Sequence, residues 1–400
     1  MFHPRHSTRP AFSFPRAVPL LLGALSLLTV LAAATAGDAA AIETTGREAI
    51  LLDADTGAVL LEKDADVPMP PASMSKLMTL YLVFERLKNG QLSLEDTLPV
   101  SDYAWEKGGF KSGSSTMALK PRTRAKVEDL LRGIIVQSGN DACIVFAEAL
   151  AGSEADFARE MERKGQQIGL QNSHFRNATG WPDPEHRMTA RDLATLALRI
   201  IRDFPEYYHY FAELEFTYNG IKQHNRNPLL YKNMGADGLK TGHTENAGYG
   251  LTASVKRNDR RLVLVVNGLE SRKERAREPE RLLEWGFRHF GNYALFKGGE
   301  TVMDANVWLG SQGTVPLLIA DDLVITLPRQ ARKNMKVVVR MAEPIPAPIA
   351  KGSQIATLVI KAPGTEDREI PLVAGGEVEQ LGFVGRLGAA LQYIVWGSSD

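Results

Sequence analysis

Apolar residues first gather near the amino end: residues 17–34 carry no charge, follow Arg5, Arg9 and Arg16, and finish at Ala34-Thr35-Ala36 before Gly37. A basic stretch, an apolar stretch and a small-residue cleavage site in that order predict an export signal over residues 1–36, with a retained membrane anchor as the alternative. Two β-type runs come next, Ala49-Ile50-Leu51-Leu52 and Ala58-Val59-Leu60-Leu61, flanking the turn-forming Asp53-Ala54-Asp55-Thr56-Gly57. They predict a hairpin. Pro70-Pro71-Ala72 then opens a helical stretch that runs to Lys88 and closes at Asn89-Gly90, with proline at the start and glycine past the end. Helical spacing recurs over residues 127–136 and 142–150, and Ser153-x-x-Asp156 and Thr189-x-x-Asp192 read as capping boxes with Asp in the Glu position.

After Gly238 the pattern changes to strands. Residues 249–255 and 261–266 are rich in β-formers and are separated by the polar Lys256-Arg257-Asn258-Asp259-Arg260, a hairpin signal. A helix over residues 275–290 is expected to cover them. Strands at both ends of this region and helices in its middle predict one α+β domain, residues 42–293, whose antiparallel sheet is completed by the early hairpin. Residues 294–380 read as a small all-β module: short apolar runs at 307–309, 315–319, 323–327, 336–341, 355–360 and 369–373, broken by Gly, Pro and Asp. The last segment, 381–397, predicts an amphipathic helix. Leu381, Val384, Leu387, Leu391, Ile394 and Val395 share one face, with Arg386 and Tyr393 opposite. Such a helix is too short to cross a bilayer and suits a membrane surface, the alternative being a helix docked on its own protein.

Composition changes this picture little. Lys and Arg total 47 and Asp and Glu total 47, for a formal charge of zero, so no nucleic-acid or other polyanion partner is called for. The single cysteine, Cys143, cannot form an intramolecular disulfide or a multi-cysteine zinc site; its apolar helical neighbours predict a buried core residue.

The candidate chemistry lies in three short motifs. Ser73-Met74-Ser75-Lys76 stands at the start of the first long helix, where residues three apart share a face and can meet. A serine hydroxyl needs a base to take its proton, and a lysine serves only when desolvation or a neighbouring cation lowers its pKa. Ser138-Gly139-Asn140 falls in the break between two helices, placing a hydroxyl and an amide where they can face a cleft. Lys240-Thr241-Gly242 opens the strand region; on an exposed edge strand it offers a cation and a hydroxyl to a carboxylate, with glycine allowing close approach. Each motif alone is a weak signal. All three in this order form a set closely similar to that of penicillin-binding proteins and class A β-lactamases, with S-G-N in place of S-D-N.

On these residues the chain resembles the D-alanyl-D-alanine carboxypeptidases, the low-molecular-mass penicillin-binding proteins. The likeness extends over residues 71–79, 137–143 and 238–244, and over the run from His174 to Leu193 that contains Thr179-Gly180-Trp181-Pro182 and Thr189-Ala190-Arg191-Asp192. It implies a transpeptidase-type α+β fold, like that of penicillin-binding proteins and β-lactamases, followed by the β module and a membrane-anchoring tail. It implies Ser73 as nucleophile, Lys76 as its proton acceptor, Ser138 as proton shuttle and Asn140 as a positioning amide. Lys240 and Thr241 would hold the substrate carboxylate beside Gly242, and backbone N–H groups of Ser73 and His243 would form the oxyanion hole. Arg275 falls where the family places an arginine near that carboxylate, in a run, Glu274-Arg275-Ala276-Arg277, that leaves its register open. Water would release the acyl group, so neither cofactor nor metal is required. The implied substrate is the peptidoglycan pentapeptide, the implied inhibitors are β-lactams, and the implied location is periplasmic, peripherally attached to the outer face of the cytoplasmic membrane.

Three rival functions share parts of this pattern. A class A β-lactamase needs a glutamate to activate the deacylating water, for which Glu185 is the candidate, but has no use for the β module. A D,D-endopeptidase acting on cross-links shares all three motifs. A catalytically idle wall-binding protein would be expected to have lost a motif residue.

Overall fold

The computed structural model describes residues 42–388; the expected export signal and residues 389–397 of the expected terminal helix lie outside them. A five-stranded antiparallel sheet organises the first domain: β1 (Glu48–Asp53), β2 (Val59–Lys63), β3 (Ala236–Thr244), β4 (Gly248–Arg257) and β5 (Arg260–Leu269), in the order β2-β1-β5-β4-β3. The early hairpin therefore completes the sheet, as its sequence position required: β1 runs antiparallel to β5 with Leu51 opposite Leu264. The β4–β5 turn is tighter than the five polar residues suggest. Only Asn258 and Asp259 turn, both with φ in the left-handed region at 47° and 62°, the geometry that matches strand twist in a two-residue hairpin.

Alternation along the strands divides the interior into two layers. Val263 and Val265 point into the core beneath the helical region, whereas Leu262, Leu264 and Val266 point into the core beneath the final helix. The helices are α1 (Lys76–Lys88), α2 (Asp102–Gly108), α3 (Val127–Gln137), α4 (Asn140–Ala151), α5 (Glu154–Gln167), α6 (Ala190–Asp203) and α7 (Arg272–His289). Both N-caps form, Ser153 accepting from the Asp156 N–H and Thr189 from the Asp192 N–H. The reciprocal half of each box is replaced: the Asp192 carboxylate receives the Asn172 N–H and the Ser173 hydroxyl, and that of Asp156 the Ser153 hydroxyl. Helix α7 starts three residues earlier than periodicity suggests, because Ser271 caps it by accepting from the Glu274 N–H. Cys143 is fully buried on α4.

Residues beyond α7 form the β module. The strand Phe290–Phe296, which apolar periodicity did not reveal, pairs antiparallel with Leu323–Pro328. A second sheet has six strands, from Lys336–Arg340 at one edge to Ile345–Pro346 at the other. Between them lies a separate core that includes Val315, Leu317, Ile325, Leu358 and Leu372. Asp53 joins the modules, receiving Arg260 Nε at 2.8 Å and Asn292 Nδ2 at 3.1 Å. At the end of the described chain, residues 383–388 are helical and leave Phe383, Val384 and Leu387 exposed.

Candidate active site

Ser73 does not sit on the long helix itself but on a single 3₁₀ turn, Ala72–Ser75, that leads into α1. The sequence reading merged the two. The contact survives, because residues three apart eclipse one another on a 3₁₀ turn: Lys76 Nζ lies 2.9 Å from Ser73 Oγ. Ala72 precedes Ser73 with φ at +49°, a left-handed conformation that costs a non-glycine residue energy and marks a strained turn.

Lys76 is fully buried. Its amine donates to the Thr179 carbonyl. Burial lowers its pKa to about 8, the Arg226 charge pushes the same way, and Glu154 and Asp141 oppose it. The amine is thus brought within reach of the state a base needs.

Ser138 ends α3 in a left-handed conformation, φ +64°, and Asn140 opens α4. Both are buried and both line the same cleft as Ser73. Lys240 Nζ donates to Ser138 Oγ at 2.9 Å and to the Thr241 carbonyl at 3.1 Å. That bond occupies an acceptor lone pair of the hydroxyl and leaves its proton free to be given elsewhere. Asn140 Oδ1 is buried without a hydrogen-bond partner among the described residues, an open acceptor at the cleft wall. Asp141 fixes this corner: its carboxylate receives the Thr116 hydroxyl at 2.6 Å and the Met117 and Leu119 N–H groups at 3.0 and 3.1 Å.

The third motif lies on β3, the edge strand of the sheet. It is not exposed, as an edge position suggested: Lys240 and Thr241 are 2% and 5% accessible, because the strand edge is covered by the turn that carries Ser73. A Cβ on Gly242 would stand 3.0 Å from the Pro71 carbonyl oxygen and 3.3 Å from Ala72 Cβ, so glycine is what lets β3 approach Ser73 so closely. Burial, then the charges of Lys76 and Arg226, push the Lys240 pKa well below its ordinary value. His243 stacks on Tyr249 with centroids 3.9 Å apart. Burial and Arg275 lower its pKa.

The cleft measures about 1090 Å³ and is lined by Ser73, Ser138, Asn140, Thr241, Gly242, His243 and Arg275, with Trp181, Arg226, Arg272 and Glu245 among the further walls. It therefore brings together the expected residues of all three motifs, with Lys76 and Lys240 directly behind them. Arg275 proves to be the register that faces the cleft. It lies over Tyr249 at 5.4 Å, and burial, with Arg272 and Arg226, lowers its pKa to about 10, leaving it cationic at neutral pH. Arg226, Arg272 and Arg275 have no carboxylate partner among the described residues, so the floor is prepared for an anion. Sequence reasoning missed Arg226 and Arg272, since a lone arginine after a short hairpin or at a helix start carries no signal until the fold converges. It missed equally the backbone carbonyl of Thr179. Glu185, the β-lactamase candidate, instead pairs with Arg176 at 3.1 Å, is 74% exposed and does not line the cleft. Among the described residues no three His, Cys, Asp or Glu side chains gather as a metal site.

Gly180 leaves no room for a side chain beside the Ser73 turn. Its φ is +72°, and a Cβ there would fall 2.0 Å from the Ala72 carbonyl oxygen. Gly180→Ala should therefore displace the turn that carries Ser73. A loss of stability of at least about 1–3 kcal/mol is expected in thermal melts, together with slower covalent labelling by a fluorescent penicillin. Unchanged melting and labelling would show that the turn tolerates the methyl group.

Residues 33–271 match the family model described as D-alanyl-D-alanine carboxypeptidase, and residues 290–380 match that of the penicillin-binding protein 5 C-terminal domain. The chain is 40% identical to D-alanyl-D-alanine carboxypeptidase DacC of Escherichia coli over 341 residues, covering 84% of this chain and 85% of the relative. It is 32% identical to DacF of Bacillus subtilis, with 84% and 87% covered. Among solved structures it resembles penicillin binding protein 5 from Haemophilus influenzae, at 36% identity and a TM-score of 0.76, over 85% of this chain and 99% of that one. It also resembles ampicillin-bound penicillin-binding protein D2 from Listeria monocytogenes, at 30% identity and a TM-score of 0.53, over 62% and 98% of the two chains.

Proposed function

The chain belongs to the D-alanyl-D-alanine carboxypeptidase family, and from that premise we propose that Ser73 is acylated by the penultimate D-alanine of a peptidoglycan stem pentapeptide while the terminal D-alanine leaves. The protein is a serine peptidase of penicillin-binding-protein architecture. The observation that carries the residue assignment is Lys76 Nζ at 2.9 Å from Ser73 Oγ in a buried setting that lowers the amine's pKa.

The steps follow from the donors and acceptors present. Neutral Lys76 takes the Ser73 proton as Oγ attacks the peptide carbonyl carbon. The tetrahedral oxygen is stabilised by the backbone N–H groups of Ser73 and His243. Asn140 Oδ1, unpartnered until then, accepts an N–H of the substrate peptide. The Ser138 hydroxyl, held by Lys240, passes a proton to the leaving amine, and the C–N bond breaks. Thr241, Lys240 and Arg275 bind the terminal carboxylate within the cationic floor. The proton that Lys76 took passes on to the Ser138 oxygen, which restores the neutral amine and the hydroxyl. Water then attacks the ester with Lys76 again as base, and the proton it takes returns to Ser73 Oγ as the acyl C–O bond breaks. A β-lactam enters the same sequence, and its ring opening leaves an acyl group on Ser73.

The test is to incubate the purified protein with a stem pentapeptide and, separately, with a cross-linked dimer, and to weigh the products. Release of one D-alanine from the pentapeptide and an intact dimer support the reading; cleavage of the dimer alone would make the enzyme a D,D-endopeptidase.

Membrane attachment through residues 381–397 belongs to the same proposal. Its support is the exposure of Phe383, Val384 and Leu387 at the start of that segment. The protein would then act at the outer face of the cytoplasmic membrane after removal of residues 1–36. Truncation before Leu381 should move the signal-processed protein from the membrane pellet to the soluble fraction with penicillin labelling intact. A truncated protein that still pellets would rule out the tail as anchor.

A further inference from the structure

Lys76 owes its second contact to a stretch of backbone, and that stretch is itself held from outside. The amine donates to the Thr179 carbonyl. The preceding residue, Ala178, is gripped at both ends: its N–H donates to Glu154 Oε1 at 3.1 Å, and its carbonyl accepts from Thr79 Oγ1 at 2.7 Å. Asn177 supplies only local turns, receiving the Thr179 N–H and hydroxyl at 3.1 and 3.0 Å. Glu154 is the first residue of α5, and its second oxygen, Oε2, receives the Tyr103 hydroxyl from α2 at 3.4 Å. A continuous path therefore runs from Tyr103 through Glu154, Ala178 and Thr179 to Lys76 and Ser73. Although it lies outside all three motifs, Glu154 is also coupled to the lysine by charge: it opposes the fall in the Lys76 pKa, and while burial raises the Glu154 pKa, Lys76 opposes that rise.

We propose that Glu154 is a positioning residue for the general base, its carboxylate holding the Ala178 N–H so that the Thr179 carbonyl stays aimed at Lys76 Nζ. The carboxylate does not touch substrate. It fixes the carbonyl that directs the amine, and its negative charge sets how readily the amine stays protonated. The groups facing Lys76 are Asp141 and Cys143 of α4, Lys240 of β3, Arg226, His186 and Glu154 itself; those facing Glu154 are Tyr103, Glu148 and Lys76. Glu154 and Asp141 are the acids that raise the Lys76 pKa, so neutralising either should lower it. This inference rests on the reading of Lys76 as the base of a serine acyl transfer.

Two variants separate the two effects. Glu154→Ala removes both the acceptor and the charge. Glu154→Gln keeps an oxygen for the Ala178 N–H and removes only the charge. The second-order rate of Ser73 acylation by a fluorescent penicillin, measured across pH with thermal melts alongside, reads both. Glu154→Ala should acylate roughly tenfold or more slowly at every pH, as expected for a displaced catalytic group. Glu154→Gln should recover most of that rate, with its acidic limb shifted to lower pH because the amine loses a stabilising negative charge. Acylation by Glu154→Ala at the rate of the unmodified protein would overturn the proposal. So would Glu154→Gln as slow as Glu154→Ala with no shift of the limb. Should Glu154→Ala fail to fold, Thr79→Val, which cuts the other tether of Ala178, must show the same loss, and a normal rate there overturns the proposal equally. Lys76→Ala run in parallel separates the two levels: if it still acylates, the reading of the base has failed, whereas an inactive Lys76→Ala beside a normal Glu154→Ala removes only the positioning role.

Discussion

Ser73→Ala should abolish covalent labelling by penicillin and, in the same preparation, release of D-alanine from a pentapeptide. The loss in turnover should be on the order of a millionfold, the scale seen when serine hydrolases lose their nucleophile. The reason is local and chemical. Oγ is the cleft hydroxyl that stands 2.9 Å from the buried Lys76 amine, and its residue lies on a turn held against β3 by contacts to Pro71 and Ala72. Ser75, two residues on, is also buried, but its hydroxyl donates to the Ala72 carbonyl at 3.2 Å and it does not line the cleft. Ser138 lines the cleft, yet its partner is Lys240 rather than Lys76. Either could take over only with rearrangement, so the variant should keep the fold and its melting temperature. Residual labelling of Ser73→Ala, mapped by mass to another residue, would move the nucleophile elsewhere.

Lys76→Ala should lower the acylation rate by about 10²–10⁴, the range for a positioned general base, while leaving the cleft residues in place. The pH profile of the unmodified protein offers a second check. The reactive form is the neutral amine, and burial brings the Lys76 pKa down to about 8 from the usual 10.5. Acylation should therefore climb with pH below about 8, near tenfold per unit, and level off above it. Stability follows the same group. Between about 8 and 10.5 the unfolded chain holds a proton that the native lysine has lost, so this residue's cost to stability is fully present below about 8 and fades as pH rises through that window. A flat acylation profile from pH 6 to 9, or a Lys76→Arg variant as fast as the unmodified protein, would exclude Lys76 as the base, since arginine stays charged throughout.

Much of this was legible along the chain because the signals are local. The hairpin around residues 53–57, the N-caps at Ser153 and Thr189, and the β-former-rich strands β4 and β5 are each specified by neighbours within a turn or two. Ser73 and Lys76 could be paired on spacing alone. Where the sequence reading slipped, a contact distant in the chain decides. The strand Phe290–Phe296 has a buried residue only at Gly291, so no clean period of two announces it; pairing to Leu323–Pro328 makes it a strand. Lys240 reads as an edge-strand cation open to water. It is buried instead because a glycine two residues on lets the nucleophile turn close over it.

The amino-acid sequence by itself determined the order of elements, the three motifs and the residue types that acyl transfer requires, since periodicity, caps and i, i+3 spacing act over a few residues. The tertiary structure alone decided what those residues can do. It brings Lys240 to Ser138 across 102 positions and Thr179 to Lys76 across 103. It withdraws both lysines from water and turns three arginines, with no acid partner among the described residues, into one cleft. Those are effects of burial and convergence, and a pKa depends on both. A linear pattern can name a lysine, but only packing can make it a base.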